Sequence, residues 1–301
     1  MKTHAPSMLR VTRRSVLGAM IAGGTAACVG NIAPRRTERP LALAHLTVAR
    51  ELAADYGATL KHARALGYTH FGFPLGPQSP RHPPVRNPLE VASLCRAADM
   101  AVGVVRLTHT DDYPRQMQTA AQVGATIVAQ SAADVFFTGP QRGRTTRAAF
   151  EGWMERLARM AYAAREAGLR LVYHNHDWDH VPLDGKTPIE LIAEGFAPGE
   201  VDFEIDLGWA AVAGVDPLAL VDDLGPRVLA MHLKDVHLSC VARDCRRFVA
   251  PGEGDLDYRN LIPQLDRITD ALVCVEIDEP VDGLQAAARG AATVLRARAW
   301  G

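Results

Sequence analysis

The chain has 301 residues, of which 48% are hydrophobic and 22% charged, with a formal net charge of -1. That is an ordinary globular composition, long enough for one large core. A near-neutral balance excludes the basic face that nucleic-acid binding requires, so no nucleic-acid partner is expected.

The first thirty residues differ in kind from the rest. Thr12-Arg13-Arg14-Ser15-Val16-Leu17-Gly18 leads into the Gly/Ala-rich run AMIAGGTAACVG. A basic start, a mildly apolar middle and small residues at the end describe an export signal; the run is too short and too weakly apolar to span a bilayer. The paired arginines resemble a twin-arginine signal, which is a receptor-read address. Thr25-Ala26-Ala27-Cys28 resembles a lipoprotein cleavage box, although Thr25 stands where Leu is usual. Cys28 is therefore a candidate lipid anchor facing the periplasm; cleavage nearby would instead free a soluble periplasmic protein. Residues 1–30 are read as the signal, 31–40 as a polar linker and 41–301 as one folded domain. Cys95, Cys240, Cys245 and Cys274 remain, and an oxidising compartment permits a bridge between Cys240 and Cys245, with free thiols the alternative.

From residue 41 onward, strand-like and helix-like text alternates. Apolar strand candidates occur at 41–46, 69–73, 101–107, 125–130, 170–176, 201–206, 228–233 and 271–277. Between them lie stretches such as 51–66 and 147–167, whose apolar residues recur at three- and four-residue spacing. The strands are continuous apolar runs, as parallel strands covered on both faces require. Gly67, Gly124 and Gly168 each stand just before a strand, where a helix end needs a left-handed residue. Eight βα units predict an α/β fold, a single (β/α)8 TIM barrel. An open doubly wound sheet is the alternative, but no GxGxxG follows the first strand.

Four of these runs end in a metal-ligand side chain: YHNHD, VDFEID, VLAMHLKD and ALVCVEID. In a barrel the C-terminal strand ends form one rim, so His174 (or His176), Asp206, His232 and Glu276 are expected to converge. Two imidazoles with two carboxylates suit one divalent ion among Mn, Co, Zn, Mg and Fe. His174 and His176 share a strand face, with Asn175 on the other.

The segments YHNHDWD, IDLGWAAVAGVDP, RVLAMHLKDV, GEGDLDY and VEID resemble the xylose-isomerase-like TIM-barrel family of sugar-phosphate isomerases and epimerases. The likeness covers roughly residues 41–300 and is strongest from 168 onward. It implies a divalent ion held by the last four strands, with Asp206, His232 and Glu276 matching three ligands. At the fifth strand His174 falls where many relatives carry Glu, and at the second Gly72 does so. Ketose 3-epimerases in this family use two metal-bound glutamates on opposite faces of the substrate. Here Glu276 is the carboxylate of that pair that remains, which shifts the expectation toward single-base chemistry such as elimination, hydration or one-faced isomerisation.

The expected activity is thus that of a metal-dependent isomerase or epimerase on a sugar or keto-sugar, with Glu276 as base. A 3-keto-glycoside lyase, hydrolase or dehydratase is the alternative on the same site. Lys234 is expected to steady an oxyanion, although a Lys–Asp pair with Asp235 that merely closes the strand end is as reasonable. His176, Asp179, Trp209, Asp235, Glu253 and His109 are candidate carbohydrate contacts; turn, cap or core roles compete for each. A sugar-binding lipoprotein without turnover and an endonuclease-IV-like DNA repair enzyme are further readings of such a barrel. The kept ligands argue against the first, and the neutral charge and export signal against the second.

Overall fold

The computed structural model describes residues 39–77, 86–137, 141, 143–240, 247–278 and 280–300. The expected signal, the candidate anchor Cys28 and most of the expected linker lie outside the described residues, as does Cys245.

Among the described residues ten strands occur in chain order: β1 Leu41–Ala44, β2 His70–Pro74, β3 Ala101–Arg106, β4 Ile127–Gln130, β5 Arg170–His174, β6 Asp202–Asp206, β7 Val228–Leu233, β8 Asp235–Val236, β9 Phe248–Val249 and β10 Leu272–Val275. β1–β7 and β10 close into a parallel barrel in the order β1-β10-β7-β6-β5-β4-β3-β2. This is the eight-stranded barrel that the alternation of runs predicts. β8 and β9 form a separate antiparallel pair in the connection after β7.

Alternation along each strand separates two layers. Outward residues, among them Leu43, Phe71, Val128, Leu171, Phe203, Met231 and Val273, pack with the helices into the main apolar cluster. The helix Arg147–Glu166 shows how: Thr146 caps its start by accepting from Ala149 N at 3.2 Å, and Phe150, Trp153, Leu157, Met160 and Ala164 are buried along one stripe. The residue that follows each such helix lets the chain turn into its strand, with Gly67, Gly124 and Gly168 at φ of 101°, 86° and 73°. The stretch expected as one helix over 51–66 is instead two, Ala49–Ala54 and Tyr56–Ala65. Asp55 is extended between them and accepts from Ala58 N at 2.9 Å, a cap in mid-sequence that apolar spacing does not reveal.

Inside the barrel the side chains are small. Ala42, Ala44 and Cys274 form one inner cluster, and Val104, Ala129, Val172 and Ala230 another. Small inner residues keep the floor low, and the space above them is a cavity of about 510 Å³ at the C-terminal rim. Cys95 and Cys274 are free and buried, and Cys240 is disulfide-bonded.

Candidate metal centre

The register brings the strand ends together. His174 on β5 lies beside Glu204 on β6, and Asp206 on β6 lies beside His232 on β7. Cys274 on β10 pairs with His232, so Glu276, two residues further on, rises on the same inner face. His174, Asp206 and His232 each offer a ligand atom, and these atoms all lie within 4.8 Å of one another. His232 Nδ1 is 3.2 Å from Glu276 Oε1 and 3.7 Å from Asp206 Oδ2. Asp206 Oδ2 and His232 Nδ1 are buried and make no hydrogen bond. Unpartnered polar atoms at this depth are costly, and two that face each other with a carboxylate alongside mark a place for a cation.

Glu204 lies against the other edges of both rings, and its Oε1 has no hydrogen-bond partner among the described residues. Its Oε2 is 3.1 Å from His174 Nδ1 and its Oε1 is 3.1 Å from His232 Nε2, with the carboxylate fully buried. An imidazole whose one nitrogen faces a carboxylate keeps the lone pair of the other for a metal. Arg106 Nη2 lies against the same two nitrogens, 3.3 Å from His174 Nδ1 and 3.1 Å from His232 Nε2, so His174 Nε2 and His232 Nδ1 are the ring atoms turned away from both partners. Arg106, at the end of β3, reaches across to Glu204 at 2.8 Å.

Lys234 stands on the other side. Its Nζ is 3.1 Å from Asp206 Oδ2, 3.1 Å from Glu276 Oε1 and 2.9 Å from Asp278 Oδ2. Among the described residues, four carboxyl groups (Glu204, Asp206, Glu276, Asp278) thus outnumber two fixed cations, Arg106 and Lys234, and burial, with Glu276 and Asp206 alongside, raises the pKa of Asp278. Proton affinities reflect that excess. Burial opposes the charge on His232, yet the Glu204 and Glu276 carboxylates push its pKa well above the usual imidazole range. Burial also opposes ionisation of Asp206 and Glu276, but Lys234 and His232 hold both well below the usual carboxylate range. Burial, helped by Arg106, lowers His174 to about 4. A proton on His232 and a divalent cation compete for the same position, and the donor set fits a divalent ion among Zn, Mn, Co, Fe(II) and Mg.

His176, Trp209 and His109 line the cavity, as expected from sequence. His176 stacks on Trp178 with ring centres 4.2 Å apart, and Trp209 meets Phe248 edge-on at 4.5 Å, so the wall beside β5 and β6 is aromatic. Three expected carbohydrate contacts are not among the lining residues. Asp179 is fully buried and accepts from Tyr173 OH and from His176 N at 2.7 Å, so it shapes the turn after β5. Asp235 accepts from the backbone of Val236, Gly252, Gly254 and Leu256 at 2.8 to 3.0 Å. A Cβ at Gly254 would come within 2.4 Å of Asp235 Oδ1, which is why this loop needs glycine there. Glu253, between the two glycines, pairs with Arg289 away from the cavity. Lys234 lines the cavity as well, and its ammonium donates to Glu276 Oε1 at 3.1 Å and to Asp278 Oδ2 at 2.9 Å.

Sequence reasoning missed Arg106, Glu204, Asp278 and Trp178, all of which line the cavity. Glu204 and Asp278 each stand two residues from an expected ligand, and that spacing places them on the same strand face.

The family model for the xylose isomerase-like TIM barrel matches residues 60–298. The chain belongs to the xylose isomerase-like TIM barrel family. It is a family of enzymes, with inosose dehydratases and sugar isomerases or epimerases among the similar proteins. The chain is 31% identical over 134 residues to an inosose dehydratase of Geobacillus kaustophilus, a match that takes in 40% of this chain and 43% of that protein. It therefore spans less than half the length of the curated relatives it matches. Among solved structures, a sugar phosphate isomerase/epimerase from Parabacteroides distasonis superposes with a TM-score of 0.67 at 18% identity, over 85% of this chain and 96% of that one. A xylose isomerase-like TIM barrel protein from Mycobacterium smegmatis in complex with magnesium gives 0.61 at 16% identity, over 87% and 97%. At these identities the xylose isomerase-like structures establish the shared fold.

Proposed function

We propose that the protein is a divalent-metal-dependent lyase of the dehydratase type, acting on a neutral keto-polyol such as a keto-cyclitol or keto-sugar. The observation that carries this reading is the one-sided distribution of acids. Among the described residues, the carboxylates lining the cavity are Glu204, Glu276 and Asp278, all from β6 or the end of β10. The facing wall is Ala44, Gly72, Val104, Arg106 and Ser131. Epimerisation by two carboxylates on opposite substrate faces has no second carboxylate there.

A single carboxylate suffices for a syn elimination. Glu276 takes the proton from the carbon beside the carbonyl, and the C–H electrons form a double bond as the C–O bond at the next carbon breaks. The hydroxide leaves with the proton that Glu276 returns, so water is lost and the carboxylate is regenerated. Lys234 holds Glu276, Asp206 and Asp278 in place by its ammonium. His176 and Trp209 supply an apolar wall against a ring face. A divalent cation held by His174, Asp206, His232 and Glu276 supplies Lewis-acid polarisation of the carbonyl. Such a cation would offset the excess of carboxyl groups over Arg106 and Lys234, which favours a neutral substrate over a phosphate ester. The relatives' name, inosose dehydratase, supports a keto-cyclitol.

The isomerase reading shares the first proton abstraction and differs in product. Incubation of cobalt- or manganese-loaded protein with inososes and keto-sugars in D2O, followed by NMR, separates the two. Loss of water with a new alkene or dicarbonyl signal is expected. Solvent deuterium in an isomeric sugar with no loss of water would establish the isomerase instead. Glu276→Gln is expected to abolish turnover with the fold intact. On residues 12–28 alone, we also propose that the chain is exported by a twin-arginine-type signal and works in the periplasm, free or anchored through Cys28.

A further inference from the structure

Arg106 owes its position to an irregularity in the barrel. The β2–β3 register slips between Phe71 and Phe73, so β3 carries one extra residue opposite Gly72. The two strands come close at that point: a Cβ on Gly72 would stand 3.0 Å from Val104 O, and one on Gly103 would stand 3.3 Å from Phe71 C. Val102 below the bulge packs outward with the main cluster, whereas Val104 above it faces inward. Arg106 follows Val104 in phase and enters the cavity.

Its guanidinium is only partly spent. Nη2 lies 2.8 Å from Glu204, 3.1 Å from His232 Nε2 and 3.3 Å from His174 Nδ1. Among the described residues, Nε and Nη1 have no hydrogen-bond partner. The side chain is 21% exposed, and the surface it shows is cavity surface. Arg106 thus presents N–H donors to the cavity while Glu204 neutralises its charge. Lys234, the other cation at the rim, is enclosed by the carboxylates of Asp206, Glu276 and Asp278.

We propose that Arg106 is a substrate-binding residue whose free N–H groups donate to hydroxyl or carbonyl oxygens of a neutral polyol ring. The proposal rests on the reading of the site as a keto-polyol site and assigns the donor that grips the ring on the side away from Glu276. A charge already matched by a buried carboxylate selects neutral oxygens over an anionic group.

The test uses cobalt-loaded protein and myo-inositol, which has the hydroxyls but no carbonyl to react. Calorimetry is expected to give a dissociation constant about tenfold or more weaker for Arg106→Lys than for the wild type, as loss of charge-assisted hydrogen bonds requires. The cobalt absorption spectrum should be unchanged, and KM for an inosose should rise far more than kcat falls. Arg106→Ala supplies a second arm, in which millimolar guanidinium chloride should restore part of the lost affinity. If Arg106→Lys binds myo-inositol within about twofold of wild type, or if wild type does not bind it at all, the assignment is wrong. Should wild type dehydrate inososes while Arg106→Lys binds normally, this proposal alone falls. Should Arg106-dependent binding be seen with no turnover of any keto-polyol, the lyase reading falls and Arg106 keeps its role.

Discussion

Glu204→Gln is the perturbation that separates ligand positioning from simple charge balance. The carboxylate is fully buried and touches three groups: Arg106 Nη2 at 2.8 Å, His174 Nδ1 at 3.1 Å and His232 Nε2 at 3.1 Å. Glutamine has the same shape but no charge, so Arg106 loses its counter-ion. Removing one partner of a buried pair costs about 3–5 kcal/mol, and water reaching Arg106 puts this case near about 3 kcal/mol. For a domain of this size that is a fall of roughly 6 °C in the melting temperature of the apo protein. Separately, both imidazoles lose the carboxylate that stands against their second nitrogens, which costs about 10- to 100-fold in metal affinity. Differential scanning calorimetry reads the first effect, and cobalt titration followed by visible absorption reads the second. The double variant Glu204→Gln/Arg106→Met leaves no unpaired charge, so it should regain most of the stability but none of the cobalt affinity. A folded Glu204→Gln protein that binds cobalt within about threefold of wild type would refute the positioning argument, since the loss expected from the missing carboxylate is at least about tenfold.

Asp206→Ala removes a ligand outright, and cobalt or zinc retained after dialysis, measured by elemental analysis, should fall from near-stoichiometric to background; full occupancy would sink the ligand assignment. His180 is lowered to about 4 by burial, and its Nε2 lies 3.2 Å from the Asn175 side-chain nitrogen, so it is neutral in the folded state. The unfolded chain takes up a proton on this group below about 6.5, so stability is lost as pH falls from there toward 4, by up to about 3 kcal/mol. Urea midpoints at pH 7 and pH 4.5 should draw closer together in His180→Gln than in wild type; an equal acid loss in both would rule out His180 as the cause. Arg13→Lys with Arg14→Lys should retain the protein in the cytoplasm, read by cell fractionation, and unchanged periplasmic protein would remove the twin-arginine proposal.

The eight barrel strands were legible because each is an unbroken apolar run bounded by a turn residue, and burial on both faces leaves such a run little choice. The division at Asp55 was not, because its carboxylate caps the second helix inside a stretch whose apolar spacing continues past it. The β8–β9 pair is two residues long on each side, too short for any periodicity to register. The convergence of Asp206, His232, His174 and Glu276 was legible because a ligand-type side chain at the end of an apolar strand is conspicuous. Asp179, Asp235 and Glu253 look the same in sequence, but backbone N–H groups, a tyrosine hydroxyl or a surface arginine claim their carboxylates. An acid beyond a strand end says only that something nearby needs an anion, and the partner is chosen by the loop.

Arg106 shows the converse, a cavity-lining side chain hidden by a correct rule. Strict alternation from Val102, which packs outward, puts Val104 and Arg106 outward too, against the helices, where a lone arginine reads as a side chain reaching for solvent. The extra residue beside Gly72 reverses the phase between Val102 and Val104 and turns Arg106 to the centre of the barrel. Glycines at 72 and 103 are what allow the reversal, because a side chain at either would press on the neighbouring strand's backbone. The absence of a carboxylate at Gly72 and the presence of a cation at Arg106 are therefore linked in one stretch of backbone. That stretch places a guanidinium rather than a carboxylate on the wall facing Glu276, which is the arrangement the proposed single-base elimination needs.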